Sequence, residues 1–362
     1  MAVVNVKAMR FLMNFFVKNS FSKNKITLAV AVFFSSASLS MVAQAQTEQN
    51  IRIAYNLPSD HATGKYFEVL ADEIKSRTME TSIRLIPQTF SDGQLFNDEQ
   101  LPSAIGSGAA HIGQVNLGFV AGRSADLLRV WALPLLYETW EAQWAAEDSE
   151  LFWNTFDSQL MELDHKMLGW PSYGTVEIYT NQPVYSPEDL KGMRIRSFGI
   201  DTTEYLNEIG ASPVGMSSQE IYQAMQRRTI DGYTSGPSSV LSRSLYEVSS
   251  YGTNIGLGRL SFVSSANLTW WESLPADVQN AVIESSKVAT NASRMQAKES
   301  SEKELTRLQD LGVEVLDIDS DIFDLWLKSA ELRRESYAES NGDTGLALLE
   351  IIDQSNARFP NN

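Results

Sequence analysis

The chain of 362 residues has no cysteine and only three histidines. Without cysteine there is no disulfide, no thiolate nucleophile and no lipidated cysteine of the kind that anchors exported lipoproteins. His61, His111 and His165 fall in a loop before a helix, in a strand and between two elements, so no pair has metal-ligand spacing. No Gly-x-Ser-x-Gly occurs. Gly106-Ser107-Gly108 lacks the third glycine of a phosphate loop and sits where glycine normally ends a helix. Carboxylate pairs such as Asp98 with Glu99 read as solvated helix residues. Nothing here would run a reaction, and neither an enzyme nor a bound cofactor or metal is expected.

Positive charge is also scarce, with 29 Lys and Arg against 45 Asp and Glu. Five of the basic residues (Lys7, Arg10, Lys18, Lys23, Lys25) lie in the first 45, which hold no acid. They precede an apolar run of 17 residues, Ile26 to Val42, diluted by Ser35, Ser36, Ser38 and Ser40 and closed by Ala43-Gln44-Ala45. That pattern is a secretory signal over residues 1–45, cleaved after Ala45, with Met9 or Met13 as alternative starts. Removing five positive charges from a net of -16 leaves about -21, which excludes nucleic acid and anionic lipid as partners. No later apolar stretch is long enough to cross a bilayer. A freely diffusing monomer in a bacterial periplasm is expected.

About 317 residues then remain, more than one core comfortably holds, so two lobes are expected. Strand and helix patterns alternate: Ile51–Asn56, a helix over 62–77, Ser82–Pro87, a helix over 97–105 and Ala110–Val115. This implies a mostly parallel sheet in an α/β fold. A helical, tryptophan-rich stretch over 140–163 leads to strands over 166–170 and 176–180. Further strands are read at 194–198, 212–214, 231–235 and 313–318, and Ser217 with Glu220 forms a capping box. From Pro275 to Leu311 the pattern is one helix with Val278, Ala281, Val282, Val288 and Ala289 on a stripe, long enough to span both lobes. Phe323, Trp326 and Leu327 are expected core anchors of the C-terminal helices. The fold expected is a two-lobed clamshell with a long lobe-spanning helix. Lobe I takes residues 46–172 and 259–300, lobe II residues 173–258 and 301–362, with hinges near 171–175 and 256–262.

One stretch points to a ligand. Lys191-Gly192-Met193-Arg194-Ile195-Arg196-Ser197-Phe198 carries a guanidinium on a short apolar strand after the helix start Ser186-Pro187-Glu188-Asp189. A planar fork of five donors, charged at any physiological pH, suits a carboxylate. Trp170, Tyr173, Tyr179, Phe198 and Tyr233 lie in segments that would end strands at a cleft. His61 follows the first strand, at the end where open α/β sheets bind ligands, although a capping role competes. Ligand-binding candidates are therefore Arg196, Phe198, Tyr173, Trp170, Tyr233, Ser235, Val176, Asn116 and His61.

Ordered motifs across nearly the whole chain after residue 45 add a resemblance. They are Gly93-Gln94-Leu95, Leu133-Pro134-Leu135-Leu136, Ser186 through Arg196, Gly210-Ala211-Ser212-Pro213-Val214, Glu220 through Gln226, Ile230-Asp231-Gly232 and Leu245-Tyr246-Glu247-Val248. In order and spacing the chain resembles the DctP-like substrate-binding proteins of tripartite ATP-independent periplasmic (TRAP) transporters. The resemblance implies a clamshell that captures a small organic acid. It implies delivery to two integral membrane subunits driven by a sodium gradient, and the carboxylate-gripping arginine falls at Arg196. Two positions depart from the family pattern: Val176 stands where a second basic residue is frequent, and Ser235 where asparagine is frequent. Both departures suggest a ligand with one anionic end and a less polar remainder, a monocarboxylate or a zwitterion. A binding protein of an ATP-driven importer and a periplasmic enzyme acting on organic acids are the alternatives.

Overall fold

The computed structural model describes residues 46–120 and 126–361, so the signal and cleavage point expected in residues 1–45 lie outside the described residues. Eleven described strands form two sheets. The first has the order β2 (Ile83–Phe90), β1 (Thr47–Ala54), β3 (Ile112–Val115), β10 (Val263–Asn267) and β4 (His165–Gly169). The second runs β11 (Glu314–Asp317), β9 (Tyr251–Ser261), β5 (Ser172–Thr180), β8 (Gly232–Ser235), β6 (Arg194–Ser197) and β7 (Ser212–Gly215).

Each sheet is the floor of one lobe, and both are mixed rather than mostly parallel. β1 is parallel to β2 and β3, and β6 to β7 and β8, as strands joined through helices must be. β10 is antiparallel to β3 and β4, and β5 to β8 and β9. The reversed pairings belong to the strands that carry the chain between the sheets. The chain leaves the first sheet at Gly169 and enters the second at Ser172; it returns between Ser261 and Val263. The two crossings lie side by side, with Phe262 N donating to Pro171 O at 2.8 Å. Residues 259–261, expected in the first lobe, are the end of β9.

The helix Ala62–Arg77 lays Tyr66, Phe67, Leu70 and Ile74 onto Ile51 and Ile53 of β1, all fully buried. Behind it runs the helix Ala276–Asp310, whose 35 residues span roughly 52 Å. Its buried seam is Val278, Val282, Ser286, Ala289, Ser293 and Ala297. A 3.6-residue period carries that seam past Val288, which is 39 % exposed instead of lying on the stripe. The seam serines bond the backbone at the first crossing: Ser286 Oγ donates to Leu168 O at 2.6 Å, and Ser172 N donates to Ser293 Oγ at 2.7 Å. Leu308, near its end, is buried beside Val313 and the second sheet.

Local signals set several boundaries. The tryptophan-rich stretch is two helices, Trp140–Glu147 and Glu150–Met161, because Ser149 accepts Phe152 N and starts the second. The capping box forms, with Ser217 N donating to Glu220 Oε2 at 3.0 Å. The C-terminal helix Ser320–Arg358 breaks its geometry at Gly342, where φ is 55°. Trp326 is buried as an anchor, with Nε1 donating to Tyr185 O at 2.8 Å, but Leu327, expected beside it, is 43 % exposed. Consecutive helical residues point about 100° apart, which turns Leu327 away from the face that buries Trp326.

Candidate ligand-binding site

Two arginines share one face of β6. Arg194, at the outer end, pairs in bidentate fashion with Asp231, Nε to Oδ2 at 3.0 Å and Nη2 to Oδ1 at 2.6 Å. Arg196, at the carboxyl end, is 3 % exposed. Its Nε donates to Met216 O at 3.1 Å and its Nη1 to Thr234 O at 3.0 Å. Among the described residues it has no ion pair, and Nη2 has no partner. Burial pulls the guanidinium below its usual value, against the opposing pull of Asp98; arginine remains charged all the same.

The unused part of that fork lines a narrow pocket between the two sheets, with about 390 Å³ of non-atom space when the open solvent at its mouth is counted. Phe198 stands beside the guanidinium, with 5.5 Å from Cζ to its ring centroid. Phe198, Trp131 and Phe262 form a chain of ring contacts, and Tyr173 meets Phe262 edge-on at 5.1 Å. The Tyr173 hydroxyl accepts Gly236 N at 2.9 Å and donates to Ser239 Oγ at 3.0 Å, which fixes the ring. Val176 and Leu260 complete an apolar wall.

The opposite wall is polar and comes from the first lobe. Asn56 follows β1, and Asn116 follows β3, where its Oδ1 caps the turn at Leu117–Phe119 by accepting Gly118 N. Asp98 is 3 % exposed and takes Ser217 Oγ at 2.6 Å and Ser218 N at 3.2 Å across the cleft. The Asn56 amide donates to Ser218 Oγ at 3.2 Å, while its Oδ1 is buried without a partner. The cavity therefore presents a guanidinium at one end and acceptor oxygens at the other.

Of the nine candidates from sequence, Arg196, Phe198, Tyr173, Val176, Ser235 and Asn116 line this cavity. His61 stands one layer back, capping the helix Ala62–Arg77: Nδ1 accepts Thr63 N at 3.0 Å, leaving Nε2 to donate to Ser238 Oγ at 2.8 Å. It stacks on Tyr173 with centroids 5.4 Å apart. Burial and the charge of Arg243 lower it to about 3, so it is neutral. Trp170 and Tyr233 are core residues. Trp170 packs on Phe156 and donates to Glu147 O, and Tyr233 stacks on Tyr179 and bonds Ser249. A strand-end position says nothing about which face a ring takes.

Asp98 escaped the sequence reading because a carboxylate in an Asn-Asp-Glu-Gln run looks solvated; only the other lobe buries it. Asn56 was findable, since it follows the first strand at the end where open sheets bind ligands. Among the described residues no His, Asp or Glu cluster could hold a metal ion.

Residues 53–339 match the model of the family described as bacterial extracellular solute-binding protein, family 7, DctP. The chain belongs to the DctP family. The C4-dicarboxylate-binding periplasmic protein DctP of Rhodobacter capsulatus is 26 % identical over 72 % of this chain and 76 % of its own length. A solute-binding protein of Chromohalobacter salexigens is 25 % identical over 78 % of this chain and 83 % of its own. Solved DctP-like structures share the fold. A TRAP periplasmic solute-binding protein of Anaerococcus prevotii with bound glucuronate superposes with a TM-score of 0.80 at 22 % identity, covering 86 % of this chain and all of the other. DctP7 of Bordetella pertussis, binding pyroglutamic acid, gives 0.78 at 19 % identity, covering 84 % of this chain and 99 % of the other. The family is extracellular, and no helix among the described residues is long and apolar enough to cross a membrane.

Proposed function

We propose that this DctP-family protein captures a small organic acid in the periplasm by pairing its carboxylate with Arg196. Closure buries the acid, and the closed form hands it, chemically unchanged, to the membrane subunits of a TRAP transporter. The observation that carries the reading is a buried guanidinium with no ion pair and free donors on an interlobe cavity. A buried charge without a counter-charge is costly, and an incoming carboxylate supplies one. Related proteins named for C4-dicarboxylates, and solved structures with bound glucuronate, succinate and pyroglutamic acid, support the class.

The far wall narrows the ligand. Asp98 would repel a second carboxylate, whereas its free lone pairs and the unpartnered Asn56 Oδ1 favour an N–H or O–H donor. With Val176 and the rings between the two ends, the fit is a compact monocarboxylate whose far end donates, such as a lactam acid. Titration calorimetry should show pyroglutamate binding at least tenfold more tightly than succinate. Arg196→Ala should cost on the order of 2 to 5 kcal/mol for any acid bound. Arg196→Lys should lose most of the affinity too, since an ammonium cannot reproduce the fork. Unchanged affinity in both variants would remove Arg196 from the site; tighter succinate binding would remove the donor-end reading alone.

A further inference from the structure

A second cavity lies on the other face of the ribbon formed by β5 and β9. Thr175 and Glu177 of β5 line it, whereas their neighbour Val176 lines the ligand cavity. It is a wide pocket with about 1270 Å³ of non-atom space, open solvent included.

Its floor is an irregularity in the ladder. Pairing steps from Val176 with Gly258 to Ile178 with Thr253, which leaves residues 254–257 bulged out opposite Glu177. The bulge is nonetheless satisfied. Ile255 N and Gly256 N donate to Glu177 Oε2 at 3.0 and 2.9 Å, and Leu257 O accepts Leu135 N at 2.8 Å. Gly256 has a φ of 59°, and a side chain there would meet nothing within 4 Å.

Arg259 stands next along β9. Its Nη1 donates to Tyr137 O at 2.6 Å and its guanidinium lies 5.8 Å from the Trp140 ring centroid. Its Nε is buried without a partner, and no acid among the described residues forms an ion pair with it, although Glu177 and Glu141 stand near enough to favour its charge. Leu305, Phe323 and the half-exposed Leu327 form an apolar wall of the same cavity.

We propose that this cavity is a second ligand site, for a monocarboxylate with an apolar body whose acid group pairs with Arg259. One cation is available, while Glu177 and Glu138 also line the space, so a dianion is disfavoured and a single charge fits. The apolar wall and the Trp140 ring take the body of the guest. Such a guest bridges the β5 and β9 ribbon, the helix Trp140–Glu147, the long helix and the C-terminal helix. Its occupancy therefore bears on the same ribbon that closure must bend.

The test is a fluorine NMR titration of 4-fluorophenylacetate into the mature protein and three variants. Binding should persist in Arg196→Ala, which disables the first site. It should weaken at least tenfold in Arg259→Ala and in Leu327→Glu; the latter changes an exposed residue and leaves the core intact. Binding lost in Arg196→Ala, unaltered in both other variants, or absent from every protein would overturn the proposal.

Discussion

On β6 the outer arginine finds a carboxylate partner and the inner one does not, although both lie on one face two residues apart. Glu177 is the acidic counterpart: a buried carboxylate with no ion pair among the described residues, which accepts two backbone amides. Burial, opposed by those amide bonds, raises it from an ordinary 4.5 to about 7. The folded state therefore binds more protons at this site than the unfolded state between those two values. Stability contributed here is fully present below about 4.5 and is lost as pH rises toward about 7. The loss is on the order of 3 kcal/mol at one proton per site. Glu177→Gln keeps an acceptor oxygen but cannot ionise. Urea unfolding at a series of pH values should show a flatter profile for the variant across that window. The same slope in both proteins would mean that Glu177 does not titrate there. Arg196 was legible in sequence because a guanidinium on an apolar strand is rare enough to question. Glu177 and Asp98 were not, because their burial comes from a ladder bulge and from the opposite lobe, neither of which leaves a local pattern.

The elements that brace the crossings are tied by charge as well as by packing. Arg294, 5 % exposed on the long helix, bonds Glu147 at 2.9 Å and Asp148 at 2.7 Å, at the end of the helix Trp140–Glu147. Glu147 is buried too, and it also accepts Gln143 Nε2 at 2.8 Å. Replacing one partner of a buried pair leaves the other charged, so Arg294→Met should destabilise by about 3 to 5 kcal/mol. The double variant Arg294→Met with Glu147→Gln should recover part of that loss. Chemical denaturation of the three proteins checks it, and additive effects would show that the pair does not couple. The long helix was readable almost to the residue, since apolar periodicity over 35 residues has no competing interpretation. The reversed strands were not, because the crossing near 171–175 can be placed in sequence, whereas the direction of residues 172–180 depends on which neighbours they pair with in the second sheet.

For the molecule as a whole, closure is set by how nearly the two lobes meet. Polar contacts cross on one side of the cleft: Asp98 with Ser217 and Ser218, Asn56 with Ser218 and Arg243, and His61 with Ser238. On another side backbone meets backbone, where Gly118, just after β3, touches Phe198 and Gly199, just after β6. A Cβ at Gly118 would sit 2.1 Å from Phe198 O, and one at Gly199 would sit 2.5 Å from Gly118 Cα. Gly199 also has a φ of 145°, so a side chain there is strained whether the cleft is open or shut. Gly118 is the cleaner probe: its φ is not positive, so alanine fits its backbone, and its severe clash is with the opposing lobe, its own lobe meeting the new Cβ only at the Asn116 side chain, 3.2 Å away. Gly118→Ala should fold with a near-normal melting temperature in the absence of ligand and touch no part of a bound acid. It should nonetheless lose at least tenfold in affinity, because full closure would drive the new methyl into the Phe198 carbonyl. Small-angle scattering should show the wild type contracting on adding ligand and the variant contracting less. Equal affinity and equal contraction would mean that the bound state stops short of this glycine contact, and that Arg196 holds its acid in a cleft more open than the one described.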